Sequence, residues 1–96
     1  MTWIIEYIQE AVKDLQELDR TQQIQVLKAI EKVSVNPLPS TEGGYGKAPG
    51  RHSSIRLNGY LKIKLLKLGI RVVYALVRDK RVMKIIIISV REDEKV

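Results

Sequence analysis

The sequence predicts an α+β domain, with two N-terminal helices packed on one face of a small antiparallel sheet in the order βααβββ. Apolar residues recur at helical spacing in the first third of the chain, and they alternate with polar residues in the last third. A stretch rich in Pro, Gly and Ser separates these two parts. The length of 96 residues, without internal repeat or linker, predicts a single domain over residues 1–96.

The N-terminal third predicts one strand and two helices. Thr2 to Tyr7 is β-branched and aromatic, which is typical of a short strand. The helical period starts near Gln9, and Asp19-Arg20 is predicted to close the first helix. Thr21 is the predicted N-cap of the second helix. That helix should end at Asn36-Pro37, because proline cannot continue the helical hydrogen bonds.

Residues 37–54 form a predicted loop, and loops of that length in a small protein are usually functional or mobile. Three strands are expected to follow it, with a fourth short strand possible at Ile55 to Leu57. The three are Tyr60 to Leu66, Ile70 to Val77 and Val82 to Val90.

Two of these strands have informative patterns. In the first, Leu61, Ile63 and Leu65 alternate with Lys62 and Lys64, so the lysines should lie on the face turned away from the helices. In the last, the run from Ile85 to Ile88 lacks alternation. This run predicts a central strand that is covered on both faces. Tyr74, within the middle strand, is expected in the core.

The charges are segregated along the chain. Residues 1–42 carry four basic and seven acidic residues, whereas residues 43–91 carry twelve basic residues and one acid, Asp79. A solvated surface usually mixes both signs, and a nearly acid-free basic region attracts phosphates. The second half of the chain is therefore predicted to bind a polyanion.

Several kinds of chemistry are excluded or disfavoured by composition. The chain has no cysteine and one histidine, which argues against an ordinary zinc cluster, and no cofactor or metal is expected. The Gly43 to Gly46 stretch lacks the Gly-Lys-Ser/Thr ending of a phosphate loop. The N-terminal apolar run is too short for a signal sequence, and no run is long enough to span a membrane, so a cytoplasmic location is expected.

The remaining candidates for chemistry are cations on the last strands. Lys62 and Lys64 project from one face roughly 6–7 Å apart, Arg71 lies on the next strand, and Arg91 closes the last one. RNA can be cut when its own 2′-hydroxyl attacks the adjacent phosphorus, which requires a base, positive charge and an acid. A lysine crowded by cations can act as a base, and arginine supplies forked donors to phosphate. Lys-x-Lys on an exposed strand is nevertheless common, and a purely structural role stays open.

The stretch from Gly59 to Arg91 resembles the RelE branch of the RelE/ParE superfamily of toxin–antitoxin modules. The similar residues are Lys62-Ile63-Lys64-Leu65, Gly69-x-Arg71-Val72-Val73-Tyr74 and Ile88-Ser89-Val90. The helix Ala11 to Leu18 and the element Lys47-x-x-Gly50 are similar too, so the likeness covers essentially the whole chain.

The resemblance implies metal-free, ribosome-dependent cleavage of mRNA that inhibits translation. By position, Lys62 and Lys64 match the family's paired catalytic lysines, and Arg71 matches an arginine that grips phosphate. Arg91 matches a late arginine that stabilises the transition state or assists the leaving group, although this match needs a two-residue gap. The family also places a tyrosine about six residues after the late arginine, which is one position past Val96, so it stays open whether that tyrosine lies beyond Val96 or is absent.

Further contacts and partners are predicted around this site. Lys47, Arg51, Arg56 and Lys67 are candidate RNA-binding residues, and Tyr45 and His52 of the long loop are candidates for contacts with RNA. The expected partners are a cognate antitoxin and the ribosome with its mRNA, with operator DNA bound only through the antitoxin complex and no membrane. Two alternatives stay open: a ParE-like toxin that inhibits gyrase, and a degenerate toxin that binds only its antitoxin.

Overall fold

A computed structural model describes residues 2–46 and 60–90, which form two α-helices, two short 3-10 helices and four strands. The order of these elements is the predicted βααβββ. The 3-10 helices are Ser40–Glu42 and Arg78–Lys80. The possible strand at Ile55 to Leu57 lies outside the described residues. The main elements are β1 (Ile4–Tyr7), α1 (Gln9–Gln16), α2 (Arg20–Ser34), β2 (Tyr60–Leu65), β3 (Ile70–Val77) and β4 (Val82–Val90).

The four strands form one sheet in the order β1-β4-β3-β2. The pairs β2–β3 and β3–β4 are antiparallel, as predicted. The pair β1–β4 is parallel, so the sheet is mixed rather than wholly antiparallel. A parallel neighbour needs a long crossover connection, and the helices together with the β2–β3 hairpin supply one. The turn between β2 and β3 uses Gly69 at a φ of +67°, a conformation that glycine adopts without steric cost.

The core lies between the helices and one face of the sheet. Helix α1 packs against β4, and α2 packs against β2. Tyr74 is completely buried, as predicted, and its hydroxyl donates a 2.7 Å hydrogen bond to the carbonyl oxygen of Pro37. Among the described residues, no helix is long and apolar enough to cross a membrane. The buried apolar side chains are Ala11, Leu18, Val26, Ile30, Val33, Leu61, Ile63, Ile70, Val72, Tyr74, Met83, Ile85 and Ile88.

The start of α2 differs from the prediction. Asp19, rather than Thr21, is the N-cap: its side chain accepts a 2.8 Å hydrogen bond from the backbone N–H of Gln22. The side chain of Gln22 in turn accepts from the backbone N–H of Asp19 at 3.1 Å. This reciprocal capping box satisfies two backbone donors, which a threonine two residues later cannot do.

The isoleucine run of β4 is a second difference. Val73 pairs with Ile87, but the next residue of β3, Tyr74, pairs with Ile85, so Ile86 is an extra residue in a β-bulge. The bulge interrupts the alternation, which places Ile85 and Ile88 both in the core. Ile87 is 45% exposed, so β4 is a central strand that is covered on one face and not on both.

Candidate active site

Three of the four predicted catalytic residues share the face of the sheet that the helices leave uncovered. Lys64 on β2 pairs directly with Arg71 on β3, and directly opposed residues have Cβ atoms about 4.5–5.5 Å apart. Lys62 lies two residues before Lys64, and therefore on the same face. This cation cluster is the consequence of strand alternation and of the short turn that sets the β2–β3 register.

The three side chains differ in exposure. Lys64 is exposed, whereas Lys62 and Arg71 are half-buried. The Nε atom of Arg71 is shielded from solvent and has no hydrogen-bond partner in the described part of the chain. A buried N–H donor without an acceptor is costly in a folded protein and is most often found where a ligand, an ion or water completes the site. An anionic oxygen beside Arg71 would satisfy it.

A small pocket of about 90 Å³ lies at the end of this hairpin. It brings Lys64 and Arg71 together with apolar side chains and with the backbone of the turn. Lys67, a predicted RNA-binding residue, is exposed in that turn but does not line the pocket. The lining residues are Lys64, Leu65, Leu66, Gly69, Ile70 and Arg71.

The rest of the uncovered face adds one cation and one acid. Lys84 on β4 pairs with Ala75 of β3, and Glu6 on β1 pairs with Lys84. Four basic side chains and one carboxylate therefore occupy this face within residues 2–46 and 60–90. Such an imbalance produces a positive potential over the sheet, which attracts phosphates.

The other predicted site residues cannot be placed. Arg91, the predicted fourth catalytic cation, lies outside the described residues, as do Lys47, Arg51, Arg56 and His52. In the part of the chain that is described, no three His, Cys, Asp or Glu side chains come close enough together to hold a metal ion.

The structure adds a residue that the sequence did not single out. The Nζ atom of Lys32, on α2, lies 5.7 Å from the centre of the Tyr45 ring. Lys32 belongs to the acidic first half of the chain, so charge segregation gave no reason to select it. Its proximity to Tyr45 depends on how the loop after α2 folds back, which no local pattern encodes.

Solved structures with the same architecture exist. The structure aligns with the isolated RelE toxin of E. coli at a TM-score of 0.78 and 24% identity, over 97% of this chain and 88% of that one. The chain has the RelE fold. The RelE-like architecture also aligns with the intact RelBE toxin–antitoxin complex of E. coli at a TM-score of 0.74 and 23% identity, over 95% of this chain and 99% of that one.

A structure from a second organism provides a third match to the RelE fold. The RelBE2 toxin–antitoxin complex of Mycobacterium tuberculosis aligns at a TM-score of 0.75 and 20% identity, over 95% of this chain and 100% of that one. Comparison of the sequence with family models and with curated proteins found no match. The RelE likeness is therefore a likeness of fold, and the function has to be argued from the site.

Proposed function

We propose that this protein is the toxin of a type II toxin–antitoxin module and acts as a ribosome-dependent, metal-free endoribonuclease on mRNA. The observation that carries the proposal is the direct pairing of Lys64 with Arg71 on the uncovered face, next to Lys62. The RelE fold supports it, because solved RelE toxins and RelBE complexes share this architecture.

The proposed reaction uses only groups of the chain and of the RNA. One lysine of the Lys62–Lys64 pair accepts the proton of the 2′-hydroxyl, whose oxygen then forms a bond to the adjacent phosphorus. The bond from phosphorus to the 5′ oxygen breaks, and that oxygen receives a proton from the other lysine of the pair, which is protonated. The products are a 2′,3′-cyclic phosphate and a free 5′-hydroxyl.

Arg71 has a separate role in this proposal. Its guanidinium, whose Nε–H has no acceptor among residues 2–46 and 60–90, binds the non-bridging phosphate oxygens. Positive charge that is already in place stabilises the additional negative charge of the transition state. Arg91 is proposed, from its position in the family pattern alone, to assist at the leaving group, and Lys47, Arg51, Arg56 and Lys67 to contact RNA.

The proposed function implies particular binding partners. An active toxin must be held silent, so a cognate antitoxin is expected to cover apolar and basic surface of this chain with opposing acidic groups. The E. coli and M. tuberculosis RelBE structures are toxin–antitoxin complexes. The ribosome with bound mRNA is the proposed target, and the cytoplasm the proposed location, with operator DNA reached only through the antitoxin complex.

The decisive experiment maps the 5′ ends of cellular mRNA after brief expression of the protein, together with DNA supercoiling. We expect codon-positioned cuts that Lys64→Ala reduces by about 10²- to 10⁴-fold, the usual contribution of a positioned proton-transfer group. Because Lys64 is exposed, the same variant should unfold at nearly the wild-type urea concentration.

Lys13→Ala is the matched control, since Lys13 is an exposed lysine on α1. Lys13→Ala removes one positive charge at a position outside the cation cluster, so this variant should cleave mRNA like wild type. Intact mRNA accompanied by gyrase-dependent DNA breaks would overturn the nuclease proposal in favour of a ParE-like activity. Intact mRNA and intact DNA, with antitoxin still bound, would indicate the degenerate toxin.

A further inference from the structure

The loop that follows α2 is fixed by its own backbone. Between Asn36 and Gly46, the N–H of Tyr45 donates to the carbonyl of Asn36 at 2.9 Å, and the N–H of Gly46 donates to that of Leu38 at 3.0 Å. The N–H of Ser40 donates to the carbonyl of Gly46 at 2.8 Å. A side chain at Gly44 would overlap the backbone of Leu38, which shows how closely the loop closes on itself.

Two contacts attach this loop to the sheet. The Tyr74 hydroxyl binds the carbonyl of Pro37, and a side chain at Gly46 would overlap that hydroxyl. The carboxylate of Glu42 accepts two hydrogen bonds of 2.9 Å from the guanidinium of Arg78, at the end of β3. The loop therefore holds Tyr45 at a defined position relative to the strands.

Tyr45 lines a pocket of about 260 Å³ between α2 and β2. Its side chain is 54% exposed although it is aromatic. The pocket has apolar walls and three lysines, two of which belong to the cation cluster beside Arg71. The lining residues are Ala29, Lys32, Val33, Tyr45, Lys62, Ile63 and Lys64.

We propose that this pocket binds the base of an mRNA nucleotide adjacent to the cleaved phosphate, by stacking on Tyr45, with Lys32 contacting the neighbouring phosphate. The inference rests on the proposed RNase function and assigns a substrate subsite to it. An exposed aromatic ring next to cations is the combination that binds single-stranded RNA, since every base offers a face for stacking and every linkage a negative charge.

The position of the pocket favours a nucleotide over other occupants. Lys62 and Lys64 border both the pocket and the pairing with Arg71, so one strand of RNA can pass from Tyr45 to Arg71 along the two lysines. A loop that is held this firmly loses little entropy when a base stacks on it. The Nζ atom of Lys32 is 5.7 Å from the centre of the Tyr45 ring, so the phosphate of a nucleotide stacked on that ring would lie close to this cation.

The test measures binding of a short RNA whose 2′-hydroxyls carry methyl groups, so that it cannot be cleaved, by fluorescence anisotropy at low salt. We expect Tyr45→Ala to weaken binding roughly 5- to 150-fold, the usual range for the loss of one stacked base, and Tyr45→Trp to retain it. Lys32→Gln should weaken binding as well, whereas Lys28→Gln, one turn earlier on the same exposed helix surface, should not.

An RNA with one abasic nucleotide, placed at each position in turn, identifies the stacked base. When the RNA is abasic at that position, Tyr45→Ala should bind it as tightly as wild type does, because the base that stacks on the ring is already missing. Equal binding by wild type and Tyr45→Ala, or no binding by wild type, overturns the subsite. A selective loss of antitoxin binding in Tyr45→Ala would assign the surface to a protein partner instead. Failure of wild type to cleave mRNA refutes the RNase proposal separately.

Discussion

The two faces of the sheet are made by the same strands and contain opposite kinds of side chain. On β2, Leu61 and Ile63 face the helices and are at most 9% exposed, whereas the intervening Lys62 and the following Lys64 lie on the uncovered face. On β3, Val72 is buried and Arg71 is not. The change from core to cation occurs from one residue to the next.

This difference separates stability from the proposed activity. Apolar burial against the helices is the main favourable term for the fold, while cations that crowd one face repel each other and contribute nothing comparable. A protein of 96 residues has little surplus stability to offset the repulsion within a charged surface, so the helix-facing side has to be well packed. Substitutions on the two faces should therefore have different consequences.

The largest expected effect on stability is in β4, where one strand offers a matched pair. Ile85→Ala removes a completely buried side chain and should lower the free energy of unfolding by about 2–5 kcal/mol. Ile87→Ala, two residues later and 45% exposed, should lower it by about 1 kcal/mol or less. Urea denaturation of both variants measures the difference, and comparable losses would contradict the one-sided burial of β4.

The features that the sequence predicted correctly are local. The alternation of β2 placed Lys62 and Lys64 opposite to Leu61 and Ile63, because successive side chains of a strand always point to opposite faces. A turn of a few residues then brought Arg71 onto the neighbouring strand, and its pairing with Lys64 required only that the hairpin close tightly. The order of helices and strands follows from periodicity in the same way.

The features that were missed depend on distant partners. The parallel pairing of β1 with β4 joins residues at opposite ends of the chain, and no local pattern specifies the direction of such a pair. The bulge at Ile86 arises from the pairing of β4 with β3, which the sequence of β4 alone does not specify. The run of isoleucines was therefore interpreted as burial on both faces. Likewise, Lys32 meets Tyr45 only after the intervening loop has folded back.

A smaller effect is expected from the hydroxyl of Tyr74, a polar group within the helix-facing side. Tyr74→Phe keeps the ring but leaves the carbonyl of Pro37 without this donor, and should cost about 1–2 kcal/mol at neutral pH. The cations on the uncovered face are untouched, so any loss of the proposed RNA cleavage should arise only through the loop that holds Tyr45. Thermal or urea unfolding checks the loss, and an unchanged stability would show that the loop is held without this bond.

The contribution of this hydroxyl should depend on alkaline pH. Burial raises the pKa of Tyr74 well above its ordinary value of 10, so the folded protein retains a proton that the unfolded chain releases. The stability it provides is complete below about pH 10 and is lost as the pH rises through the folded pKa. The difference in unfolding free energy between wild type and Tyr74→Phe should therefore narrow above pH 10.

The smallest effect is expected from an exposed ion pair on neither face. Hydrogen bonding to Arg78 lowers the pKa of Glu42, and both side chains are about half exposed, at 55% and 44%. Because exposed pairs contribute little and are screened by salt, Glu42→Gln should change the urea midpoint less than Tyr74→Phe does. Because the pKa of Glu42 is lowered in the folded protein, the stabilisation by this ion pair is present above the ordinary pKa of Glu and is lost as the pH falls through the folded value. The urea midpoints of wild type and Glu42→Gln should therefore converge in acid and in high salt. A midpoint shift as large as that of Tyr74→Phe, persisting in high salt, would show that this bidentate pair anchors the loop as strongly as the buried hydroxyl does.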